Sequence, residues 1–144
     1  FPMPVTAFQR RARRGTALLA AVLALALPAC SENPATGKRQ LALISEQQEL
    51  EIGRETAREV EGSLGLVDDA DLQAYVQAVG ARLAAGSERP ALPWSFKVVD
   101  DPTPNAFALP GGYIYVTRGL LALMNSEAEL AAVLGHEIVH AAAR

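Results

Sequence analysis

The stretch LGHEIVHAAAR, residues 134–144, decides how the chain is read. Its two histidines, the only two present, are four positions apart. On a helix that spacing leaves them about 6 Å apart along the axis and within about 40° around it, so both can converge on one ion. Glu137 falls about 100° from His136 on the same wheel, beside such an ion and not on it. A metal-activated hydrolase uses this arrangement: two imidazoles hold zinc, zinc lowers the pKa of water, and the carboxylate takes the proton. Two histidines fall at this spacing by accident roughly one time in seventy, and requiring glutamate after the first brings the odds to about one in a thousand. The bland alternative is a histidine pair satisfied by hydrogen bonds within a helix interior. The opposite face, Leu130, Leu134, Ile138 and Ala141, is expected to bury the helix in a core.

Working upstream, Ser126 followed by Glu129 is a capping-box pattern that starts this helix. GLLALM from Gly119 suits a short helix. AFAL and YIYVT flank PGG at 110–112, and they read as two strands or as one strand bent at the glycines. DDPTPN is a turn-forming loop, and a short strand spans about Trp94 to Val99, where Phe96 and Val98 alternate with Ser95 and Lys97. GSERPALP, residues 86–93, breaks a helical pattern that follows Asp68 and Asp69 and carries Leu72, Tyr75, Val76, Val79 and Leu83 on one apolar face. Ser45 and Gln48 form a second capping-box pattern, opening a helix from about Glu46 to Gly62.

The first residues have a different character. Arg10, Arg11, Arg13 and Arg14 precede an uncharged run whose centre is TALLAAVLALALPA, the shape of a signal peptide over residues 1–29. LPAC, ending at Cys30, resembles a bacterial lipobox, although Pro28 stands where a small or β-branched residue is usual. This implies lipidation at Cys30 and a tether over residues 30–44, which includes SENPATGKRQ. The alternatives are an uncleaved anchor, a free cysteine, or cleavage after Ala24 to Ala26. Removing residues 1–29 lowers the net charge from −3 to −7, and no basic cluster remains of the kind that grips phosphate backbones, so nucleic acid is not an expected partner. A single cysteine excludes a disulfide framework and a cysteine-rich zinc module.

NAFALPGGYIYVTRGLLALMNSEAELAAVLGHEIVHAAAR, residues 105–144, closely resembles the zinc metallopeptidase family that groups the CAAX prenyl endopeptidase, the heat-shock membrane protease HtpX and the periplasmic protease-chaperone BepA. NPATGKRQLALISEQQELEIG, residues 33–53, resembles the opening of its exported, lipoprotein-like bacterial members. The resemblance implies an α+β, helix-rich, zincin-like domain with a small sheet beside the H-E-x-x-H helix. His136 and His140 are then ligands of one zinc ion and Glu137 the general base. By the same likeness Asn105, Ala106, Phe107 and Ala108 border the cleft, where an edge strand pairs with an extended peptide. The competing reading makes that segment a structural turn with a buried Phe107.

The implied activity is metalloendopeptidase chemistry on protein or peptide substrates, misfolded envelope proteins among them, on the periplasmic side of a bacterial envelope with a lipid anchor at Cys30. A third-histidine zincin fits badly, since it wants glycine where Ala143 stands. Family members take their third zinc ligand from a glutamate of an E-x-x-A-D sequence on a later helix. Here the only Ala-Asp pair is Ala70-Asp71, upstream, with Val67 at the glutamate position. Glu129 lies about 10.5 Å along the helix from His136, too far for one ion. Residues 45–144 are therefore expected to be the N-terminal part of a peptidase domain, its third ligand downstream of Arg144 and the apolar side of its last helix partly uncovered. The alternative is a lipid-anchored chaperone-like or binding module with an incomplete, inactive metal site.

Overall fold

In a computed structural model, which describes residues 30–32, 39–41 and 44–143, Ser45 caps a helix through both halves of the expected box. Its hydroxyl accepts from the Gln48 N–H at 3.2 Å, and the Gln48 side chain accepts from the Ser45 N–H at 2.9 Å. Ahead of this point two strands, β1 (Cys30–Glu32) and β2 (Arg39–Leu41), pair with each other within the stretch read as a tether. The signal-peptide reading of residues 1–29 lies outside the described residues. Helix α1 runs over Glu46–Leu64, two residues beyond the expected Gly62, and ends at Gly65 with φ 73°.

Asp69 caps α2 (Ala70–Ala84), its carboxylate accepting from the Leu72 N–H at 2.9 Å. Val76 and Val79 are buried, as their place on the apolar stripe predicts. Tyr75 departs from that stripe. It is 43% exposed, and its hydroxyl donates to Glu127 Oε2 at 2.8 Å, while Arg82 holds the other Glu127 oxygen at 2.8 Å. A phenol with a carboxylate in reach keeps its polar end in water, and the small residues Gly80 and Ala84 complete the buried face instead.

Strands β3 (Ser95–Val99), β4 (Ala106–Leu109) and β5 (Tyr113–Thr117) form a mixed sheet in the order β3-β5-β4. β5 lies parallel to β3 and antiparallel to β4. AFAL and YIYVT are thus two strands, joined by Pro110, Gly111 and Gly112. Both glycines have left-handed φ, 80° and 89°, which a side chain would strain. A short helix, α3 (Arg118–Leu121), follows β5, and α4 (Glu127–Ala142) carries the histidines. At its start Ser126 accepts from the Glu129 N–H at 3.3 Å, but the Glu129 carboxylate reaches the Asn125 N–H at 2.6 Å and not Ser126. The return half of the capping box is displaced by one residue.

The sheet separates two apolar layers. Phe96, Val98, Ile114 and Val116 face α2 and α4, whose Val76, Val79, Leu130, Leu134 and Ile138 join them in the main core. Val99 and Tyr115 face Ala57 of α1 on the other side, with Phe107, Leu109 and Tyr113 partly buried around them. On α4 the buried ridge is Leu130, Leu134, Ile138 and Ala142. Ala142 takes the place expected for Ala141, because the ridge keeps its four-residue step to the end of the helix. Val139 remains 64% exposed, beside a groove of about 330 Å³ between α4 and the end of α2. Among the described residues, no helix is long and apolar enough to cross a membrane.

Glu61 of α1 reaches over the sheet, taking a hydrogen bond from the Tyr115 hydroxyl at 2.8 Å and one from Lys97 Nζ at 2.6 Å. Burial first, and the hydrogen bond to Glu61 second, push the Tyr115 phenol above its ordinary value of 10.0. The unfolded chain therefore gives up this proton before the folded one does, and stability falls as pH rises past about 10. Thermal midpoints measured between about pH 8 and 11 should show that decline, and Tyr115→Phe should flatten it while costing about 1 kcal/mol at neutral pH.

Candidate metal centre

Helix α4 presents His136 and His140 on its solvent face, one turn apart. Their Nε2 atoms lie 2.9 Å apart, with ring centroids separated by 4.5 Å and planes at 77°. At that separation the two nitrogens are within hydrogen-bond distance, with the donor set by the tautomer. Two zinc–nitrogen bonds of about 2.0–2.1 Å at a tetrahedral angle place the nitrogens about 3.4 Å apart. The two imidazoles therefore converge on a common point and need to part by only about half an ångström, so this donor pair fits a zinc ion.

Glu137 is half-buried next to them, and among the described residues nothing is hydrogen-bonded to its carboxylate. Glu129 is occupied at the helix start. Among the described residues no three His, Cys, Asp or Glu side chains gather around one point, so the described part supplies two donors.

Strand β4 packs against α4 and forms one border of the sheet. Asn105 and Thr117 set its phase: the Thr117 N–H donates to the Asn105 carbonyl at 3.0 Å, which makes 105 and 117 a hydrogen-bonded pair. Antiparallel pairing alternates, so Phe107 and Leu109 also turn their peptide groups to β5, while Ala106 and Ala108 turn theirs outward to the free edge. The side chains alternate as well. Ala106 and Ala108 pack toward the core of α2 and α4, whereas Phe107 joins the α1 layer and stacks on Tyr115 at 5.3 Å. Ala106, Phe107 and Ala108 thus lie on an edge strand with small residues toward the histidine helix and Phe107 held on the far side, and Asn105 lies just ahead of it. Cys30 sits in β1.

The other border of the sheet is closed, by residues that the sequence did not mark. Gln73 Oε1 accepts from the Val98 N–H at 2.9 Å and its Nε2 donates to the Val98 carbonyl at 2.9 Å. Gln77 accepts from the Phe96 N–H at 2.8 Å. Two glutamines four apart on one helix stand in for a neighbouring strand. Their i, i+4 spacing beside the apolar stripe was the available signal. Thr117, which caps α3 and binds both the N–H and the carbonyl of Asn105 through its hydroxyl, is the other unmarked residue; it fixes where the open edge begins.

The sequence model of peptidase family M48 matches residues 70–144, from the start of α2 through the histidine helix. A mitochondrial metalloendopeptidase OMA1 from Schizosaccharomyces pombe is 49% identical over 70 residues, which is 49% of this chain and 21% of the relative. The beta-barrel assembly-enhancing protease of Yersinia pestis is 35% identical over 118 residues, 82% of this chain and 24% of the relative. Metalloendopeptidase OMA1 of Danio rerio is 34% identical over 134 residues, 88% and 28% respectively. The chain thus spans about a quarter of the length of the curated relatives it matches.

Proposed function

Because the chain belongs to peptidase family M48, we propose that it contributes the two-histidine half of the metal site, the general base and the substrate edge of a zinc metalloendopeptidase. The observation that carries this is the convergence of the His136 and His140 Nε2 atoms at 2.9 Å with Glu137 unengaged beside them. Zinc bound there would supply Lewis acidity and make water acidic enough to be deprotonated near neutral pH. His136 and His140 hold it through neutral ring nitrogens, and the third protein ligand comes from a segment beyond Arg144. Glu137 accepts the proton of the attacking water and returns it to the leaving amine. The outward peptide groups of Ala106 and Ala108 hydrogen-bond an extended peptide, which puts it alongside α4 irrespective of its side chains.

The same proposal places the protein in the bacterial cell envelope, exported by residues 1–29 and anchored by lipid at Cys30, with misfolded envelope proteins as substrates. The name of the Yersinia pestis relative, a beta-barrel assembly-enhancing protease, is compatible with that setting, and the mitochondrial relatives point to a different compartment for their own branch. The test is zinc content and casein proteolysis of the full-length protein beside its His136→Ala variant. Stoichiometric zinc and cleavage in the first, with loss of both in the second, is the expected result. Zinc content that is low and equal in the two would replace the peptidase reading with that of a binding module.

A further inference from the structure

Helix α1 precedes the residues that the family model matches, yet it touches the turn that carries the open edge. Gly53 lies so close under the β4–β5 turn that a Cβ there would stand 1.9 Å from the Pro110 carbonyl oxygen, so only glycine permits this approach. One helical turn earlier, Glu49 Oε1 accepts from the Gly111 N–H at 3.4 Å. Arg89 grips the same carboxylate with both ends of its guanidinium, Nη1 to Oε1 at 2.8 Å and Nη2 to Oε2 at 3.0 Å. The pair is enclosed, with Glu49 5% and Arg89 7% exposed. The Arg89 carbonyl in turn accepts from Trp94 Nε1 at 3.0 Å, just ahead of β3. Three segments, α1, the 89–94 loop and the hairpin turn, meet at one ion pair.

Apolar side chains of similar volume would hold these segments together about as firmly, so stability alone is a weak reason for burying a charge pair here. A two-pronged guanidinium–carboxylate contact does fix direction, because both oxygens must be met at once. The oxygen that receives the Gly111 proton is one of those the guanidinium holds. The turn is thereby located relative to α1, three residues from Ala108, in a hairpin whose strand β4 has a neighbouring strand on one side only.

We propose that α1 is a clamp that sets the position of β4 beside the histidine helix, with Glu49 and Arg89 as positioning residues for extended substrates. This rests on the reading of β4 as the edge that pairs with peptide. It predicts a loss that depends on substrate length, which general loosening of the fold does not. The experiment compares full-length protein with Glu49→Gln and Arg89→Lys on two fluorogenic peptides, one of about eight residues that reaches along β4 and one too short to do so. Hydrogen exchange of the Phe107 and Leu109 amides and zinc content are measured on the same samples.

For the long peptide KM should rise about tenfold with kcat within about twofold, while the short peptide is cleaved as before, zinc content holds and both amides exchange faster. Equal losses on the two peptides, or faster exchange with an unchanged KM, overturn the clamp. Should Glu49→Gln fail to fold by circular dichroism, Arg89→Lys, which keeps the charge and loses the fork, carries the comparison. If the unmodified protein cleaves neither peptide, the peptidase reading fails separately. The clamp then stands or falls on binding of the uncleaved long peptide by anisotropy, with about tenfold weakening in the variants supporting it and unchanged binding overturning it.

Discussion

Replacing Glu137 by glutamine is expected to lower peptide hydrolysis by about 10²- to 10⁴-fold while zinc content stays at the level of the unmodified protein. Glutamine has the same shape and can still accept a hydrogen bond, but its amide cannot take a proton from water at neutral pH. The substitution therefore removes one chemical capacity and little else. The proposed metal donors are His136 and His140, whose Nε2 atoms meet without help from Glu137, and no described partner depends on its carboxylate. The loss should lie in kcat, since the outward edge groups of Ala106 and Ala108, proposed to bind substrate, are untouched. Paired measurement of zinc by mass spectrometry and of kcat on one peptide checks this. A variant that loses metal along with activity would make Glu137 a structural support of the site, and one that retains activity would remove it from the chemistry altogether.

The second large effect concerns folding. Arg89→Met should destabilise the chain by about 3–5 kcal/mol, because the Glu49 carboxylate then stays buried without the Arg89 guanidinium that meets both of its oxygens. Glu46, the other acid within reach of Arg89 at 3.7 Å, is largely exposed and relaxes into water. The double variant Glu49→Leu/Arg89→Met should recover most of that loss, since it removes both buried charges and fills the space with apolar atoms, while the 3.4 Å contact from the Gly111 N–H is given up. Denaturant unfolding of the two variants beside the parent decides the matter. A single variant within about 1 kcal/mol of the parent would mean that water reaches Glu49 and that the pair is not enclosed in solution.

Much of this was legible in the chain. Patterns with a local cause survived: the Ser45 and Gln48 box, the helix that follows Asp68 and Asp69, the ridge of α4 and the glycine turn between β4 and β5 all depend on residues within a few positions of one another. What was lost depends on distant partners. Tyr75 sits on an apolar stripe by spacing, and only the arrival of Glu127 from another helix pulls it outward. Glu49 looks like one acid among several on a charged helix until Arg89 and Gly111 close over it. Sheet order was hidden for the same reason, since β3 passes over its sequence neighbour β4 to pair in parallel with β5. The convergence of His136 and His140 was readable because their spacing is contained in one turn of helix. The open edge was reached by resemblance, and its phase came only from the Asn105–Thr117 pair.

The two glutamines on α2 bear on how copies of this sheet can meet. A sheet with two bare borders can add neighbours on both sides and grow without limit, which is how fibres begin. Here Gln73 and Gln77 occupy one border, so edge-to-edge association has a single direction open to it and must stop when two copies have joined through β4. If β4 stays bare to receive substrate, as proposed, this three-stranded sheet can do so with a self-limiting dimer through β4, and not a filament, as its worst edge-to-edge outcome.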